Sequence, residues 1–196
     1  DCADGPALTI GCPVIEEERL YNAYYTLRGG EIIARMRKHF LPNFNVFDEV
    51  RLFKSADIAG PFAMNNGPRI GSPICEDAWY PDVCEAMTES GAEILLVPNG
   101  SPYFRNKFPI RMNTMVARVI ENNVPMFYLN MVGGQDDQMF DGGSFVLNPG
   151  GKLALQMPVF EEGCAHVDFE LTDGGWRAAD GEKALLPDDM AQDYRV

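Results

Sequence analysis

A strand, an amphipathic helix and a second strand follow one another in the middle of this chain. Residues 92–98 (AEILLVP) are the most apolar strand candidate, and residues 124–132 form the next one. Between them, residues 109–123 carry apolar side chains at i, i+3, i+4, i+7 and i+8 (Met112, Met115, Val116, Val119 and Ile120). This spacing predicts a helix with one apolar face. A strand–helix–strand order is typical of an α/β fold, here a mixed sheet covered by helices on one face.

The flanking segments read mainly as strands and hairpins. We predict strands over residues 7–11, 69–75 and 164–170, hairpins over 20–38 and 144–157, and a helix that begins at Pro81 and ends before Gly91. The glycines of residues 28–31 (RGGE) and 148–151 (NPGG) supply the tight turns of the two hairpins. Residues 39–53 follow neither period and predict an aromatic-rich, structured loop, of the kind that is usually functional.

Composition excludes several classes of function. The 196 residues include 16 basic and 29 acidic side chains, a net charge of −13, which would repel nucleic acid. No run approaches the ~18 apolar residues of a membrane span, so we expect no membrane partner and a cytoplasmic location. The five cysteines contain no C-x-x-C pair, and His39 and His166 lie far apart, so the sequence predicts no zinc site.

Cys75 is the first candidate nucleophile. It is predicted at the carboxyl end of a strand, beside the polar and aromatic groups of Glu76, Asp77 and Trp79. A lone cysteine is more often a small buried apolar group, but this strand-to-helix turn favours a thiolate or an oxyanion. A free thiol is only a few per cent ionised at pH 7, so catalysis needs a base or a cation nearby.

Lys38 is the second candidate, because it opens the aromatic loop. Phe40, Phe44 and Phe47 can shield it from water, and a desolvated ammonium can stabilise a developing oxyanion. The alternative is an ordinary solvated lysine at a strand end.

Four motifs in this order resemble the nitrilase superfamily. They are residues 37–49 (RKHFLPNFNVFDE), 71–79 (GSPICEDAW), 99–103 (NGSPY) and 133–145 (GGQDDQMFDGGSF). Within that superfamily they resemble the glutaminase domains of glutamine-dependent NAD(+) synthetases, over about residues 11–169. The resemblance implies a nitrilase-type four-layer α-β-β-α sandwich, in which two α/β layers pack together across a dimer.

The resemblance also implies a domain organisation. Residues 1–172 would be an incomplete glutaminase domain that lacks the N-terminal strand and helix, and residues 173–196 would be an acidic linker toward a C-terminal synthetase domain. The F-P-E-L-type segment that supplies the family's general base, a glutamate, has no counterpart in residues 1–196. We therefore expect the 196-residue chain to lack appreciable glutaminase activity by itself.

Site residues follow from the same resemblance. The family's lysine and nucleophilic cysteine fall on Lys38 and Cys75. Positions that match substrate-binding residues, or lie beside them, are Glu76, Ser101, Lys107, Phe44 and Trp79, with Phe44 replacing a common tyrosine. Glu49 is expected to be either a partner of Lys38 or an exposed loop acid, and Asp141 is expected to organise its glycine-rich turn.

The implied reaction is hydrolysis of L-glutamine to glutamate and ammonia. No cofactor or metal is expected in this domain. ATP and Mg²⁺ are expected in the synthetase domain, which would amidate nicotinic acid adenine dinucleotide, and a homo-oligomer is expected.

Three alternatives remain open at this point. The first is a stand-alone amidase or carbamoylase with the same cysteine and lysine. The second is a non-catalytic scaffold of the same fold, and the third is a Cys-His hydrolase that uses His39 or His166.

Overall fold

The computed structural model describes residues 5–64 and 67–179. The chain begins with a three-stranded antiparallel sheet of β1 (Leu8–Glu16), β2 (Arg19–Arg28) and β3 (Glu31–Arg37). The predicted hairpin between β2 and β3 is confirmed, and Gly29 and Gly30 hold positive φ at its turn. Strand β1 is longer than predicted because it pairs with β2 from end to end.

The remaining elements follow in order: α1 (Glu49–Leu52), β4 (Phe62–Ala63), β5 (Arg69–Gly71), α2 (Pro81–Glu89), β6 (Ile94–Asn99), α3 (Lys107–Asn122), β7 (Met126–Asn130), β8 (Val132–Gln135), β9 (Gln138–Asp141), β10 (Phe145–Asn148), β11 (Lys152–Gln156), β12 (Phe169–Thr172) and β13 (Gly175–Ala178). Strands β4 to β7, β10 and β11 form a six-stranded sheet in the order β11-β10-β7-β6-β5-β4. Strands β5, β6 and β7 are parallel and the others are antiparallel. The predicted mixed sheet is confirmed.

Helices α2 and α3 pack on one face of the six-stranded sheet. Their buried side chains meet Leu95, Val97, Met126 and Tyr128 in the main hydrophobic core. The predicted apolar face of α3 is confirmed at Met112, Met115, Val116 and Val119, but wrong at Ile120, which is 51% exposed. Eight residues turn a helix through 800°, so Ile120 lies about 80° away from Met112 around the axis. This helix-covered sheet is one α/β layer of the predicted sandwich.

Several element predictions need correction. Residues 69–75 are not one strand, because β5 ends at Gly71 and a 3₁₀ turn begins at Cys75. Residues 164–168 are irregular, because pairing starts only at Phe169, opposite Ala178 in β13. The loop of residues 39–53 ends in helix α1, and the β8–β9 hairpin was not predicted.

The β12–β13 hairpin crosses the predicted domain boundary at residue 172. Ala178 is buried, and its backbone N–H and carbonyl both bind the Asn148 side chain. The rest of the predicted linker, residues 180–196, lies outside the described residues. Among the described helices, none is long and apolar enough to cross a membrane.

Candidate active site

Cys75 lies in a strained turn between the two sheets. Its backbone adopts φ of 50°, in the left-handed region that costs a non-glycine residue roughly 1–2 kcal/mol. Tyr24 and Met36 of the three-stranded sheet pack against Ile74 and Cys75 and bury the thiol. Strain of this kind persists where surrounding structure enforces it, often at functional sites.

The environment of Cys75 keeps its thiol protonated. Burial raises its pKa above the ordinary value of 9.0, although the Lys38 ammonium and a hydrogen bond from the Gly100 backbone act in the opposite direction. The negative charges of Glu76 and Glu49 raise the pKa further. A base must therefore remove the thiol proton before attack.

The Lys38 ammonium is buried beside this thiol. Lys38 is 1% exposed, and its Nζ lies 2.6 Å from Glu49 Oε1. The Asn22 side-chain amide donates to the other Glu49 oxygen at 3.3 Å. Glu49 is thus the ion-pair partner of Lys38, which was one of the two expectations for this residue. The ammonium and Cys75 line the same cavity of about 290 Å³, which fits a role for Lys38 in stabilising negative charge.

A second cavity, of about 250 Å³, contains all five predicted substrate-binding residues. Cys75 lies at the junction, because it lines both cavities together with Phe47. The second cavity is also lined by Glu76, Ser101, Lys107, Phe44 and Trp79.

Opposite charges face this second cavity. The Glu76 carboxyl is hydrogen-bonded by the Tyr80 hydroxyl; burial raises its pKa, while the charges of Lys38 and Lys107 lower it. The Lys107 ammonium lies 4.1 Å from the centre of the Trp79 ring and 4.7 Å from that of Phe104. Burial and nearby Arg111 lower the pKa of Lys107. A carboxylate and an ammonium at one small cavity are complementary to a zwitterionic ligand.

Ser101 is held by a buried polar network. Its backbone N–H donates to Asn130, and Arg111 donates to its hydroxyl at 3.2 Å. Arg111 also binds both oxygens of Asp141, at 3.0 and 3.3 Å, with both side chains buried. The Asp141 side chain is thus tied to helix α3. The Gly142 carbonyl of its turn accepts hydrogen bonds from Arg111 and Asn130, at 3.5 and 3.1 Å, and the expected role of the Asp141 side chain in that turn stays a prediction. Arg111 and Asn130 were not predicted as site residues. The available signal in the sequence was the presence of two arginines, Arg111 and Arg118, among the apolar residues of α3.

The three aromatic residues of the loop do not all shield Lys38. Only Phe47 lines the cavity of Lys38, whereas Phe44 is 49% exposed and lines the second cavity. Phe40 packs against the main core and against Tyr80. The expectation of a three-phenylalanine wall is therefore wrong, because the loop turns these rings toward different neighbours.

The two histidines that a Cys-His hydrolase would need, His39 and His166, do not reach Cys75. His39 Nδ1 lies 2.6 Å from the Ala56 carbonyl oxygen, His166 is exposed, and neither lines the two cavities beside Cys75. This placement disfavours a Cys-His hydrolase.

A larger cavity of about 310 Å³ lies on the sheet face opposite the helices, away from Cys75. Across residues 5–64 and 67–179, no three His, Cys, Asp or Glu side chains group as a metal site.

Two glutamine-dependent NAD(+) synthetases are similar to this chain in sequence. A glutamine-dependent NAD(+) synthetase from Rhodobacter capsulatus is 52% identical over 194 residues, 98% of this chain and 35% of that protein. The corresponding Aquifex aeolicus protein is 40% identical over 84% of this chain and 29% of its own length. The chain thus spans about a third of these relatives.

Solved structures agree with the sequence comparison. The glutamine-dependent NAD+ synthetase of Acinetobacter baumannii superimposes with a TM-score of 0.83 at 32% identity, over 92% of this chain and 34% of that one. An amidase from Nesterenkonia sp., with the acetamide moiety of fluoroacetamide added covalently at its active site cysteine, gives 0.70 at 26% identity over 81% and 59%. Residues 3–175 match the carbon-nitrogen hydrolase family. The chain therefore belongs to the carbon-nitrogen hydrolase family and has the nitrilase-type fold that its motifs predict.

Proposed function

We propose that this chain is the glutaminase part of a glutamine-dependent NAD(+) synthetase. One observation carries the proposal: a single small cavity presents Cys75 together with Glu76 and Lys107. L-Glutamine has an ammonium and a carboxylate at one end and an amide at the other. Glu76 would bind the ammonium, Lys107 and Ser101 would bind the carboxylate, and the amide would lie at Cys75. The names of the relatives support the same substrate.

The proposed reaction proceeds through a thioester on Cys75. A base takes the thiol proton, the sulfur attacks the amide carbon, and the Lys38 ammonium stabilises the oxyanion that forms. The proton passes to the leaving nitrogen, which departs as ammonia, and water then hydrolyses the thioester to glutamate and the free thiol.

None of the three acids near Cys75 is proposed as this base, because Glu76 would bind the substrate ammonium and the other two are already engaged. Glu49 is bound to Lys38 at 2.6 Å, and Asp77 accepts hydrogen bonds from backbone N–H groups of residues 39, 40 and 74. We assign the role to the glutamate of the F-P-E-L-type segment of the family, which residues 1–196 do not include.

The ammonia would serve an ATP-dependent synthetase domain. That domain, with ATP and Mg²⁺, would amidate nicotinic acid adenine dinucleotide in a cytoplasmic homo-oligomer. The support for a synthetase domain is the name and length of the relatives, of which this chain spans about a third. The glutaminase domain itself is proposed to work without a cofactor.

An amide panel tests the proposed substrate. Ammonia release by the full-length protein is measured with L-glutamine, D-glutamine, acetamide and an N-carbamoyl amino acid. Selective hydrolysis of L-glutamine, with trapping of γ-glutamyl hydroxamate by hydroxylamine, is the expected result. Faster release from acetamide or the carbamoyl compound would instead indicate a stand-alone amidase or carbamoylase, and release from none of them a scaffold. Cys84→Ala is the matched control for Cys75→Ala, because Cys84 is also buried but lines neither cavity.

A further inference from the structure

The Asp77 carboxylate accepts hydrogen bonds from two separate segments of backbone. The His39 N–H lies 3.2 and 3.4 Å from its two oxygens, and the Phe40 N–H donates at 2.7 Å. The Ile74 N–H donates to Oδ2 at 3.0 Å. Asp77 is only 2% exposed, so these three donors take the place of water around a buried charge.

These bonds connect the two segments that carry the candidate reacting groups. His39 and Phe40 directly follow Lys38, whereas Ile74 directly precedes Cys75. Within the described residues, every hydrogen bond between residues 38–40 and residues 74–78 is accepted by Asp77. The segments are more than thirty residues apart in sequence, so their relative position depends on long-range contacts of this kind.

The same geometry shows what Asp77 does not do. It lines neither cavity beside Cys75, and both of its oxygens are occupied by backbone donors. Burial raises its pKa to about 6, against the opposing effect of the N–H donors, so the carboxylate is mostly ionised at neutral pH. An asparagine would offer one acceptor oxygen and would turn an NH₂ group toward N–H donors.

We propose that Asp77 is a positioning residue, which sets the distance between the Lys38 ammonium and the Cys75 thiol by holding both segments on one carboxylate. This inference rests on the proposed function, since it assigns the pair a shared reaction. In this proposal the Asp77 side chain affects the reaction through the positions of Lys38 and Cys75 and does not contact the substrate. The strained φ of Cys75 makes this geometry sensitive to loss of the restraint.

The test compares Asp77→Asn with a matched buried control in the full-length protein. Asn148→Ala removes a buried amide that binds both backbone groups of Ala178, away from the two cavities. The readouts are the thermal midpoint, kcat for glutamine, and the pH profile of Cys75 alkylation by iodoacetamide, followed by mass spectrometry of the Cys75 peptide. We expect Asp77→Asn to lower kcat at least tenfold and to slow alkylation at pH 7.5 at least threefold. Asn148→Ala should lower the thermal midpoint but keep both rates within twofold.

Two outcomes overturn the inference. One is an Asp77→Asn protein with a lowered thermal midpoint but with kcat and the alkylation profile within twofold of the parent. The other is equal loss of these rates in Asn148→Ala. If Asp77→Asn does not fold, Asp77→Glu keeps the charge but displaces it by one methylene, and the same tenfold loss of kcat is expected. A parent protein that does not hydrolyse glutamine would refute the proposed function, while the alkylation profiles would still test the positioning role.

Discussion

Replacing Lys38 with methionine removes a buried charge while keeping a side chain of similar length. The ammonium is 2.6 Å from Glu49 Oε1, and the two side chains are 2% and 17% exposed. Removing one partner of a buried ion pair costs about 3–5 kcal/mol, because the other charge is left unpaired. Glu49 retains some contact with water and the bond from Asn22, so we expect a loss of unfolding free energy near the lower end, about 3 kcal/mol.

The effect on catalysis has a different origin. Loss of one oxyanion-stabilising group lowers turnover by about 10²- to 10³-fold. Lys38 does not line the cavity that holds Glu76 and Lys107, so KM for glutamine should change much less than kcat. An arginine at position 38 should not restore turnover, because its guanidinium is larger and planar.

Denaturant unfolding and steady-state glutamine hydrolysis, measured on the same full-length preparations, separate these two effects. Lys38→Met/Glu49→Gln is the control, because it removes both charges. It should recover most of the stability lost in Lys38→Met but none of the turnover. A change confined to KM would refute the oxyanion role and make Lys38 a substrate-binding residue. Recovery of turnover in the double variant would show that the loss came from an unpaired Glu49.

Three further changes test the binding cavity and its support. Glu76→Gln should raise KM for glutamine about tenfold or more with a smaller change in kcat, because a charged hydrogen bond contributes about 1.5–3 kcal/mol. An unchanged KM would show that Glu76 has a structural role only. Lys107→Met should raise KM for L-glutamine, and equal losses with an amide that lacks a carboxylate would contradict a carboxylate-binding role. Arg111→Leu should lower the unfolding free energy by about 3–5 kcal/mol in urea, because Asp141 is left buried and unpaired. A loss below about 1 kcal/mol would show that Asp141 finds other partners.

Local patterns predicted the fold well where one face of an element is buried. The spacing of Met112, Met115, Val116 and Val119 predicted α3, and the paired glycines predicted both hairpins. Residues 164–168 show why alternation alone is insufficient, because none of them is paired in a β-ladder within the described residues.

The candidate site was predictable only in part, for a similar reason. Short motifs identified Lys38 and Cys75, whereas the role of Arg111 depends on Ser101, Asn130 and Asp141, which lie ten to thirty residues away in sequence. Such contacts form only in the folded chain and leave no local period.

The proposed function requires the Cys75 thiol to release ammonia from glutamine for use in synthesis. The most direct test measures NAD formation by the full-length Cys75→Ala protein with glutamine and with free ammonium as alternative nitrogen sources, beside Cys84→Ala. We expect Cys75→Ala to lose synthesis from glutamine and to retain synthesis from ammonium at the parent rate, because only nitrogen supply uses this thiol. Synthesis from glutamine at a tenth of the parent rate or more in Cys75→Ala would contradict the claim.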